Sequence, residues 1–121
     1  MRIIDANLVI YAATSEFAWL RPLLLDSDSL FSEITRLEVL GFHRLSFEDL
    51  LFFESVFEGQ PIFPIDSKVI QQAILFRQIR KLSVGDAIVA ATARLNGLEI
   101  YTRNEADFSG LPGLKVVNPI R

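Results

Sequence analysis

The chain has 121 residues, of which half are hydrophobic and ten are phenylalanine, and its formal net charge is −3. It contains no cysteine and a single histidine, His43, which excludes disulfides, thiolate metal sites and any site built from several histidines. The excess of acidic residues gives no general attraction to nucleic acid. Binding of that kind would require a local basic patch or a bound cation.

The first residues do not have the pattern of a secretion signal, because Asp5 and Asn7 interrupt the apolar stretch. The longest uncharged run, "ANLVIYAATS", has ten residues, whereas a membrane-spanning helix needs about 20 apolar residues. The length is typical of one domain. We therefore expect a single domain over residues 1–121, with no membrane segment, in the reducing environment of the cytoplasm.

The first half of the chain predicts two strands separated by helices. "RIID" (2–5) and "SLFSE" (29–33) have the composition of short strands. Helices are expected over "ANLVIYAAT" (6–14) and "EFAWLRPLLL" (16–25), the second disturbed in its middle by Pro22. The segment "ITRLEVLGFHRL" (34–45) has apolar residues at helical spacing, and Ser46 with Asp49 predicts a capped helix over "FEDLLFFESVF" that ends at Gly59.

The second half predicts the same alternation. "PIFPI" (61–65) is a third strand candidate, Asp66 caps a helix over "SKVIQQAILFRQIRKL", and Ser83 precedes a helix that ends at Gly97. "LEIYT" (98–102), an irregular "RNEADFSGLPG" and "KVVNP" follow. Strands that alternate with helices predict a central parallel sheet covered on both faces, a three-layer α/β/α sandwich.

Acidic and amide side chains follow the predicted strands. Asp5 ends the first strand, and Asn104 and Asp107 come just after the fourth. Glu38 lies one turn into the helix after the second strand, and Asp86 lies in the first turn of its own helix. In a parallel sheet, ligands bind beyond the carboxyl ends of the strands. These side chains are therefore expected at one edge of the sheet.

Such convergence has an electrostatic cost that indicates a ligand. Two carboxylates about 4 Å apart repel by about 4 kcal/mol at an effective dielectric constant of 20. Three or four of them together must either hold protons or bind a cation. Oxygen ligands without histidine or cysteine favour Mg²⁺ or Mn²⁺ over zinc. A bound cation would also let an acidic protein act on an anionic substrate.

Four motifs resemble those of a known family. "IIDANLVIYA", "ITRLEVLG", "VGDAIVAATA" and "YTRNEADF…VVNP" occur in the order seen in PIN domains, and they look like the VapC-type toxins of toxin–antitoxin pairs. They extend from the N-terminal strand to Pro119. The resemblance implies a Mg²⁺- or Mn²⁺-dependent endoribonuclease that is usually dimeric and is held inactive by an antitoxin.

The resemblance also assigns residues. It implies that Asp5, Glu38 and Asp86 are metal ligands and catalytic residues. At the fourth position many members have Asp where this chain has Asn104, and Asp107 follows three residues later, so either side chain is a candidate for that position.

Two further side chains are expected to support the site. The resemblance indicates that Asn7 and Thr102 orient the carboxylates and water. The implied reaction is in-line attack of an activated water on phosphorus, leaving a 5′-phosphate and a 3′-hydroxyl.

Basic residues near this edge are candidates for contacts with RNA phosphates. Arg77, Arg80 and Lys81 lie close in sequence to Asp86, and Arg103 lies beside the fourth strand's end. For the first three, the structural alternative is a favourable interaction with the negative C-terminal end of their helix.

The acidic residues have structural alternatives too. Asp5 fits an N-cap of the helix that follows it. Ser83 and Asp86 fit a capping box worth about 1 kcal/mol, a role that is compatible with a place in the site. Asp107 fits a turn residue.

The aromatic stretch over residues 47–57 is richer than one buried helix face requires. Together with Phe17 and Trp19 it would suit a groove that receives an antitoxin helix, whereas the alternative is a thick core. Homodimerisation would use the same surface or another.

Two other functions fit part of the pattern. A catalytically silent PIN-like binding scaffold is compatible with Asn104 at the fourth position. A receiver-like phosphotransfer module also places acidic residues at strand ends, but this chain lacks the early acidic pair and the late lysine expected there.

Overall fold

The computed structural model describes residues 1–120, which form an alternating α/β chain. The strands are β1 (Arg2–Ile4), β2 (Ser29–Ser32), β3 (Ile62–Phe63), β4 (Glu99–Tyr101) and β5 (Val116–Val117). The helices are α1 (Ala6–Ala12), α2 (Arg21–Leu25), α3 (Glu33–Leu40), α4 (Phe47–Glu58), α5 (Ser67–Ile79) and α6 (Val84–Asn96). Short 3-10 turns occupy Ala18–Leu20 and Glu105–Phe108.

The strands form one parallel sheet in the order β3-β2-β1-β4-β5. The chain moves outward from β1 through β2 to β3, and then crosses to the other side of β1, where β4 and β5 follow. The topological switch point therefore lies between β1 and β4, where their paired residues are Ile4 and Tyr101. At such a point the connections leave in opposite directions and open a crevice at the carboxyl ends of the strands.

The sheet separates two apolar cores. Alternating residues of β1 point to opposite faces, so that Ile3 packs with α5 and α6 while Ile4 packs with α1 to α4. The α6 helix is buried through seven consecutive residues from Ala87 to Ala93, because small alanines let it lie close to the sheet. The predicted three-layer α/β/α sandwich with a central parallel sheet is confirmed.

The predicted helix ends are confirmed for the longer helices. The hydroxyl of Ser46 accepts a hydrogen bond from the amide of Asp49, and the carboxylate of Asp66 accepts one from Val69. The α6 helix ends at Gly97 with a backbone φ of 63°, a left-handed conformation that glycine adopts without the penalty of a Cβ.

Two predictions about the first helices are wrong. Pro22 does not disturb the middle of a helix but lies in the first turn of α2, where its fixed φ and missing amide hydrogen are suitable. The α3 helix ends at Gly41 instead of extending to residue 45, and Leu37 is 66% exposed while Val39 is buried. The apolar face of α3 is set by the packing of the helix between its neighbours, which the spacing of leucines did not reveal.

The prediction that α4 has more apolar side chains than its core face can hold is confirmed. Phe53 and Phe57 are buried, whereas Phe47 is 71% exposed and Leu51 is 55% exposed. A further aromatic side chain, Trp19, is also largely exposed. Among residues 1–120, no helix is both long and apolar enough to cross a bilayer.

Candidate functional site

Asp5 lies at the carboxyl end of β1, at the switch point of the sheet. Its side chain is only 7% exposed, and its Oδ1 accepts a hydrogen bond from the amide of Ala6 at 2.8 Å. This contact makes Asp5 the N-cap of α1. The structural role expected from the sequence is thus real, and it holds the carboxylate at the edge where the crevice opens.

Two side chains from β4 and α1 fix the other oxygen of Asp5. Oδ2 accepts a hydrogen bond from the hydroxyl of Thr102 at 2.8 Å and one from Nδ2 of Asn7 at 3.2 Å. Asn7 also donates to the Thr102 hydroxyl at 3.1 Å, and the amide of Asn104 donates to the same oxygen at 3.1 Å. Thr102 is fully buried, so this network ties the ends of β1 and β4 together around one carboxylate.

Glu38 lies on α3 with its carboxylate against the first turn of α6. A Cβ built on Gly85 would lie 2.8 Å from Oε2 and 2.9 Å from Oε1 of Glu38. Such distances are shorter than van der Waals contact, so the Glu38 carboxylate occupies space that any other residue at position 85 would fill. The absence of a side chain at Gly85 therefore leaves room for the Glu38 carboxylate beside Asp86.

Asp86 lies in the first turn of α6, half-buried. Its amide donates to the hydroxyl of the N-cap Ser83 at 3.1 Å, as the capping pattern predicts. The N-terminal end of α6 carries a partial positive charge that favours a carboxylate there. Ser83 also hydrogen-bonds to the Asp86 carboxylate, so the capping box and a place at the edge of the sheet are compatible.

The carboxyl groups affect one another's ionisation. Burial raises the pKa of Asp5 to about 6; Asp86 and Glu38 add to this rise through charge repulsion, while the hydrogen bonds from Thr102 and Ala6 oppose it. Partial burial also raises the pKa of Glu38, and repulsion by Asp86 raises it further. Three carboxyl groups from β1, α3 and α6 thus converge closely enough to repel one another.

The fourth acidic residue is held less tightly. Asp107 lies in the exposed 3-10 turn after β4, where its amide donates to the carbonyl of Asn104 at 3.0 Å. Burial raises the pKa of Asp86; repulsion by Asp107 acts in the same direction, while the Ser83 hydrogen bond and the charge of Arg80 lower it. Asp107 therefore lies near Asp86. We call Asp5, Glu38, Asp86 and Asp107 the acid cluster.

The donor set of the acid cluster fits a hard divalent cation. It consists of carboxylate oxygens, with the amide of Asn104 nearby, and these are the ligands of Mg²⁺ and Mn²⁺. Within the described chain, no three Asp, Glu or His side chains are already gathered as a formed metal centre. A cation bound among these carboxylates would relieve their mutual repulsion.

Of the four basic residues predicted to contact RNA, three have side chains that contact the protein itself: two donate hydrogen bonds, and the third lies over aromatic rings. Nε of Arg77 donates to the carbonyl of Leu82 at 3.2 Å, and Arg80 donates to the turn after β4. Lys81 is exposed. The Arg103 guanidinium lies over the rings of Tyr11 and Phe17, at 4.8 and 5.2 Å from their centroids.

The sequence reasoning missed two residues of this region. Gly85 was part of a recognised motif, but the space it leaves for Glu38 depends on how α3 crosses α6, which no local pattern encodes. Arg80 was interpreted from its place at a helix end, although its contacts lie 26 to 29 residues further along the chain. The signal that was available for both was their proximity in sequence to Asp86.

Fold and site together define an α/β/α protein with carboxylates gathered at the switch point of a parallel sheet. The family model described as "PIN domain" matches residues 2–114. The chain therefore belongs to the PIN-domain family. No curated protein sequence is a significant match.

Several solved structures share the fold over nearly the whole chain. A chain from a toxin–antitoxin complex of Klebsiella pneumoniae is 29% identical, with a TM-score of 0.78 and coverage of 98% of both chains. A chain of the FitAcB structure from Neisseria gonorrhoeae is 25% identical, with a TM-score of 0.76 and the same coverage. A chain of DNA-bound VapBC from Salmonella typhimurium has a TM-score of 0.80 at 20% identity, again with 98% coverage of both chains, and supports the fold alone.

Proposed function

We propose that this protein is a Mg²⁺- or Mn²⁺-dependent endoribonuclease and the toxin of a toxin–antitoxin pair, with residues 1–121 forming a single cytoplasmic domain. The observation that carries the proposal is geometric: Asp5 is held at the end of β1 by Ala6, Asn7 and Thr102, and the Glu38 carboxylate lies against Gly85, the residue before Asp86. Burial raises the pKa values of all three carboxyl groups. Membership of the PIN-domain family and likeness to chains of toxin–antitoxin complexes support it.

Asp5, Glu38 and Asp86 would hold the cation, with Asp107 or Asn104 in the fourth position. When bound, Mg²⁺ or Mn²⁺ polarises a phosphate oxygen and makes a water molecule more acidic. A carboxylate has about four lone-pair positions, and Asp5 uses one on Oδ1 and two on Oδ2 for hydrogen bonds. Oδ1 therefore retains more capacity for a ligand than Oδ2.

The hydrogen bonds of Asn7 and Thr102 orient the Asp5 carboxylate before any ligand arrives. Both donors are themselves held in place: Asn7 also donates to the Thr102 hydroxyl, and Thr102 is buried just after β4. Asp5 therefore loses little freedom when a ligand binds. Positioned carboxylates of this kind set the place of the scissile phosphate, and the burial of Asp5 limits the access of bulk water.

Arg103 and Lys81 are the basic residues that we propose contact RNA. The backbone amide of Arg103 donates to Oδ1 of Asn7 at 3.3 Å, and its carbonyl accepts a hydrogen bond from Nδ2 of Asn118 at 3.1 Å. The backbone of Arg103 is therefore fixed beside Thr102. Stacking on Tyr11 and Phe17 holds the guanidinium in a defined place. A fixed cation beside the acid cluster suits a phosphate adjacent to the scissile one.

The decisive experiment is RNA cleavage by purified protein with Mn²⁺, followed by mapping of the new RNA ends. We expect cleavage by the native chain, its loss on chelation, and its loss in Asp5→Asn. Asp28→Asn is the matched control, since Asp28 is exposed on the loop before β2 and should retain activity. Intact RNA with the native protein, or equal cleavage by Asp5→Asn, would contradict the proposal and favour a catalytically silent scaffold.

The receiver-like alternative does not fit the topology. A receiver-like module has the strand order 2-1-3-4-5, whereas the order here is β3-β2-β1-β4-β5. The silent scaffold remains the second candidate function, because Asn104 replaces a carboxylate at one position of the family pattern. The cleavage experiment above separates it from the nuclease.

An antitoxin is the partner that we propose, on the basis of the similar toxin–antitoxin complexes. An apolar groove of about 250 Å³ lies between α1, α3 and α4. It is lined by Ile10, Ala13, Val39, Phe42, Leu45 and Phe53, with Glu38 at its edge. A helical segment with an apolar face fits such a groove, and its binding there would cover the approach to Glu38.

Co-expression with the product of the small reading frame expected beside the gene tests this surface. Phe42→Asp should abolish co-purification because it places a charge in the groove, whereas Ile74→Asp, on the exposed face of α5, should retain it. Retention of the partner by Phe42→Asp would show that the groove is not the binding surface.

We also propose that the chain forms a homodimer. Leu37, Leu40 and Ile65 line one shallow concavity together with the Glu33–Arg36 ion pair, and Leu37 is among the most exposed apolar side chains. Apolar side chains beside a charged pair are typical of an interface between two copies. Light scattering should give twice the mass of one chain, and Leu37→Glu should give the monomer.

A further inference from the structure

Arg80 connects the end of α5 to the turn that follows β4. Its Nη1 donates to the carbonyl of Ala106 at 3.0 Å, to the carbonyl of Ser109 at 2.8 Å and to the hydroxyl of Ser109 at 3.1 Å. Arg80 is also the residue at which α5 ends, and its backbone is extended there. The side chain therefore leaves a rigid helix end and reaches a segment far along the chain.

The acceptors of Arg80 lie on both sides of Asp107. Ala106 precedes Asp107, and Ser109 follows two residues later, beyond the buried Phe108. Within the turn itself, the amide of Asp107 bonds to Asn104 and the hydroxyl of Ser109 bonds to Ala106 at 2.9 Å. These bonds are local to the turn. Arg80 adds hydrogen bonds between the polar side of the turn and the helix layer that also carries Asp86.

The charge of Arg80 is suited to the same task. Asp107 and Asp86 repel each other, and Arg80 lies near enough to Asp86 to offset part of that repulsion. Without the arginine, both the hydrogen bonds and the compensating charge would be lost, and the polar side of the turn would be able to shift Asp107 away from the other carboxylates while Phe108 stays in the core.

We propose that Arg80 is a positioning residue that holds the Glu105–Phe108 turn so that Asp107 faces Asp86 and completes the cation site. This inference rests on the proposed function. It assigns Arg80 a different role from the RNA phosphate contact predicted from the sequence, because its Nη1 is already committed to three acceptors of the turn.

The test is a double-mutant cycle on Mn²⁺ affinity, measured by calorimetry on the full chain. Arg80→Ala and Asp107→Asn should each weaken Mn²⁺ binding by about tenfold, the lower end of the range for residues that orient a ligand. The double variant should be no weaker than Asp107→Asn alone, because Arg80 acts through Asp107. Lys68→Ala, which removes an exposed cation at the other end of α5, is the matched control and should leave Mn²⁺ affinity unchanged.

A second measurement does not depend on metal binding. Amide hydrogen exchange at Asp107 and Ser109 should be faster in metal-free Arg80→Ala than in the native chain, and exchange in α6 should be unchanged. Arg80→Lys retains the charge and one donor nitrogen, so we expect it to restore part of both the exchange protection and the Mn²⁺ affinity. If Arg80→Ala does not fold, Ser109→Ala removes one of the acceptors and should give a smaller effect of the same sign.

Other results would overturn the inference. Additive effects in the cycle would show that Arg80 does not act through Asp107. Unchanged Mn²⁺ affinity in Arg80→Ala, with weaker RNA binding and a reduced salt dependence, would make Arg80 a phosphate contact. An Asp5→Asn arm distinguishes failure of the proposed function: if Asp5→Asn binds Mn²⁺ as well as the native chain does, the metal site itself is wrong, whereas faster exchange in Arg80→Ala would still establish the tie to the turn.

Discussion

The two sides of the acid cluster are held in different ways. On the β1 side, Asp5 is buried and its carboxylate accepts hydrogen bonds from Ala6, Asn7 and Thr102. On the far side, Asp107 is exposed on a short 3-10 turn, to which Arg80 donates long-range hydrogen bonds. One carboxylate is fixed by the sheet, whereas the other lies on a turn that Arg80 and the buried Phe108 hold.

The difference shows which part of the site the fold specifies. Any chain with this sheet order brings the ends of β1 and β4 together. A donor that follows β4, here Thr102, therefore meets an acid that follows β1, here Asp5. The position of the turn after β4 does not follow from the sheet. The Asp5 side should therefore tolerate little change, whereas the Asp107 side should respond gradually to substitution.

The largest expected effect is on the β1 side. Asp5→Asn should lower the RNA cleavage rate by about a thousandfold or more, since several kcal/mol of charge stabilisation depend on a bound cation. Single-turnover cleavage with Mn²⁺ measures the loss. Residual cleavage within tenfold of the native rate would show that Asp5 is not central to the chemistry.

The same substitution should have the opposite effect on the stability of the metal-free protein. A pKa of about 6 in the folded state, against 3.8 normally, means that the fold favours the protonated carboxyl. The native stability contributed by this group is thus lost as the pH rises from about 4 to about 6, a change of about 3 kcal/mol. An asparagine removes this penalty but loses one hydrogen bond, worth about 1 kcal/mol.

Asp5→Asn should therefore be about 2 kcal/mol more stable than the native chain at pH 7 and slightly less stable at pH 4. Urea unfolding of both proteins in a chelating buffer across this pH range measures the difference. Added Mn²⁺ should stabilise the native chain and not the variant. A difference in stability that does not change with pH would show that Asp5 ionises normally in the folded protein.

The next largest effect concerns the space beside Glu38. Gly85→Ala should lower cleavage about tenfold, because the new Cβ displaces the Glu38 carboxylate. The protein should keep or slightly raise its melting temperature, since alanine favours a helix over glycine by up to about 1 kcal/mol and the displaced group is the end of a flexible side chain.

Gly59→Ala is the matched control for Gly85→Ala. A Cβ at position 59 would meet only backbone oxygens at 3.7 and 3.8 Å, which is ordinary contact. It should leave cleavage unchanged. Equal cleavage by Gly85→Ala and the native chain would mean that Glu38 does not need its present position.

A smaller effect distinguishes the two candidates for the fourth position. Asp107→Asn should weaken Mn²⁺ binding about tenfold, whereas Asn104→Ala should weaken it about twofold to threefold, because a neutral amide is the poorer ligand for a hard cation. Calorimetry compares the two variants directly. The reverse order would place Asn104 in the site and leave Asp107 outside it.

The smallest effect is expected at the aromatic surface beside the site. Arg103→Ala should raise KM for RNA a few-fold with little change in kcat, and it should lower the salt dependence of binding by about 0.7 in log–log slope, the value for one phosphate contact on a single strand. Lys68→Ala is the control. Lys68 is in the first turn of α5 and lies beside Leu95 and Asn96, at the end of α6 that is opposite to Asp86. An unchanged salt dependence would make Arg103 a structural residue only.

Much of the fold follows from local signals in the sequence. Ser46, Asp66, Ser83 and Gly97 mark helix ends because their side chains or backbone conformations satisfy groups at those ends. The alternation of strands and helices then predicts a parallel sheet, and acids after strands predict one edge. The places of Asp5, Asn7 and Thr102 in one hydrogen-bonded network agree with that expectation, while their roles in chemistry stay predictions.

What the sequence did not reveal depends on how helices cross. The buried face of α3 contains Thr35 and Val39. The helical spacing of apolar residues predicted for 34–45 instead included Leu37, which is exposed. Likewise, the contact between Gly85 and Glu38 and the reach of Arg80 to Ser109 join elements that are distant in sequence. Spacing along one helix carries no information about which neighbour lies against it.

The missing side chain at position 85 has a genetic consequence. A missense change in this codon would add bulk beside Glu38 while leaving the rest of the chain intact, and such a product would still fold and still present the groove between α1, α3 and α4. Under the proposed toxin function, that codon would offer a one-step route to weakened alleles that continue to bind the proposed antitoxin.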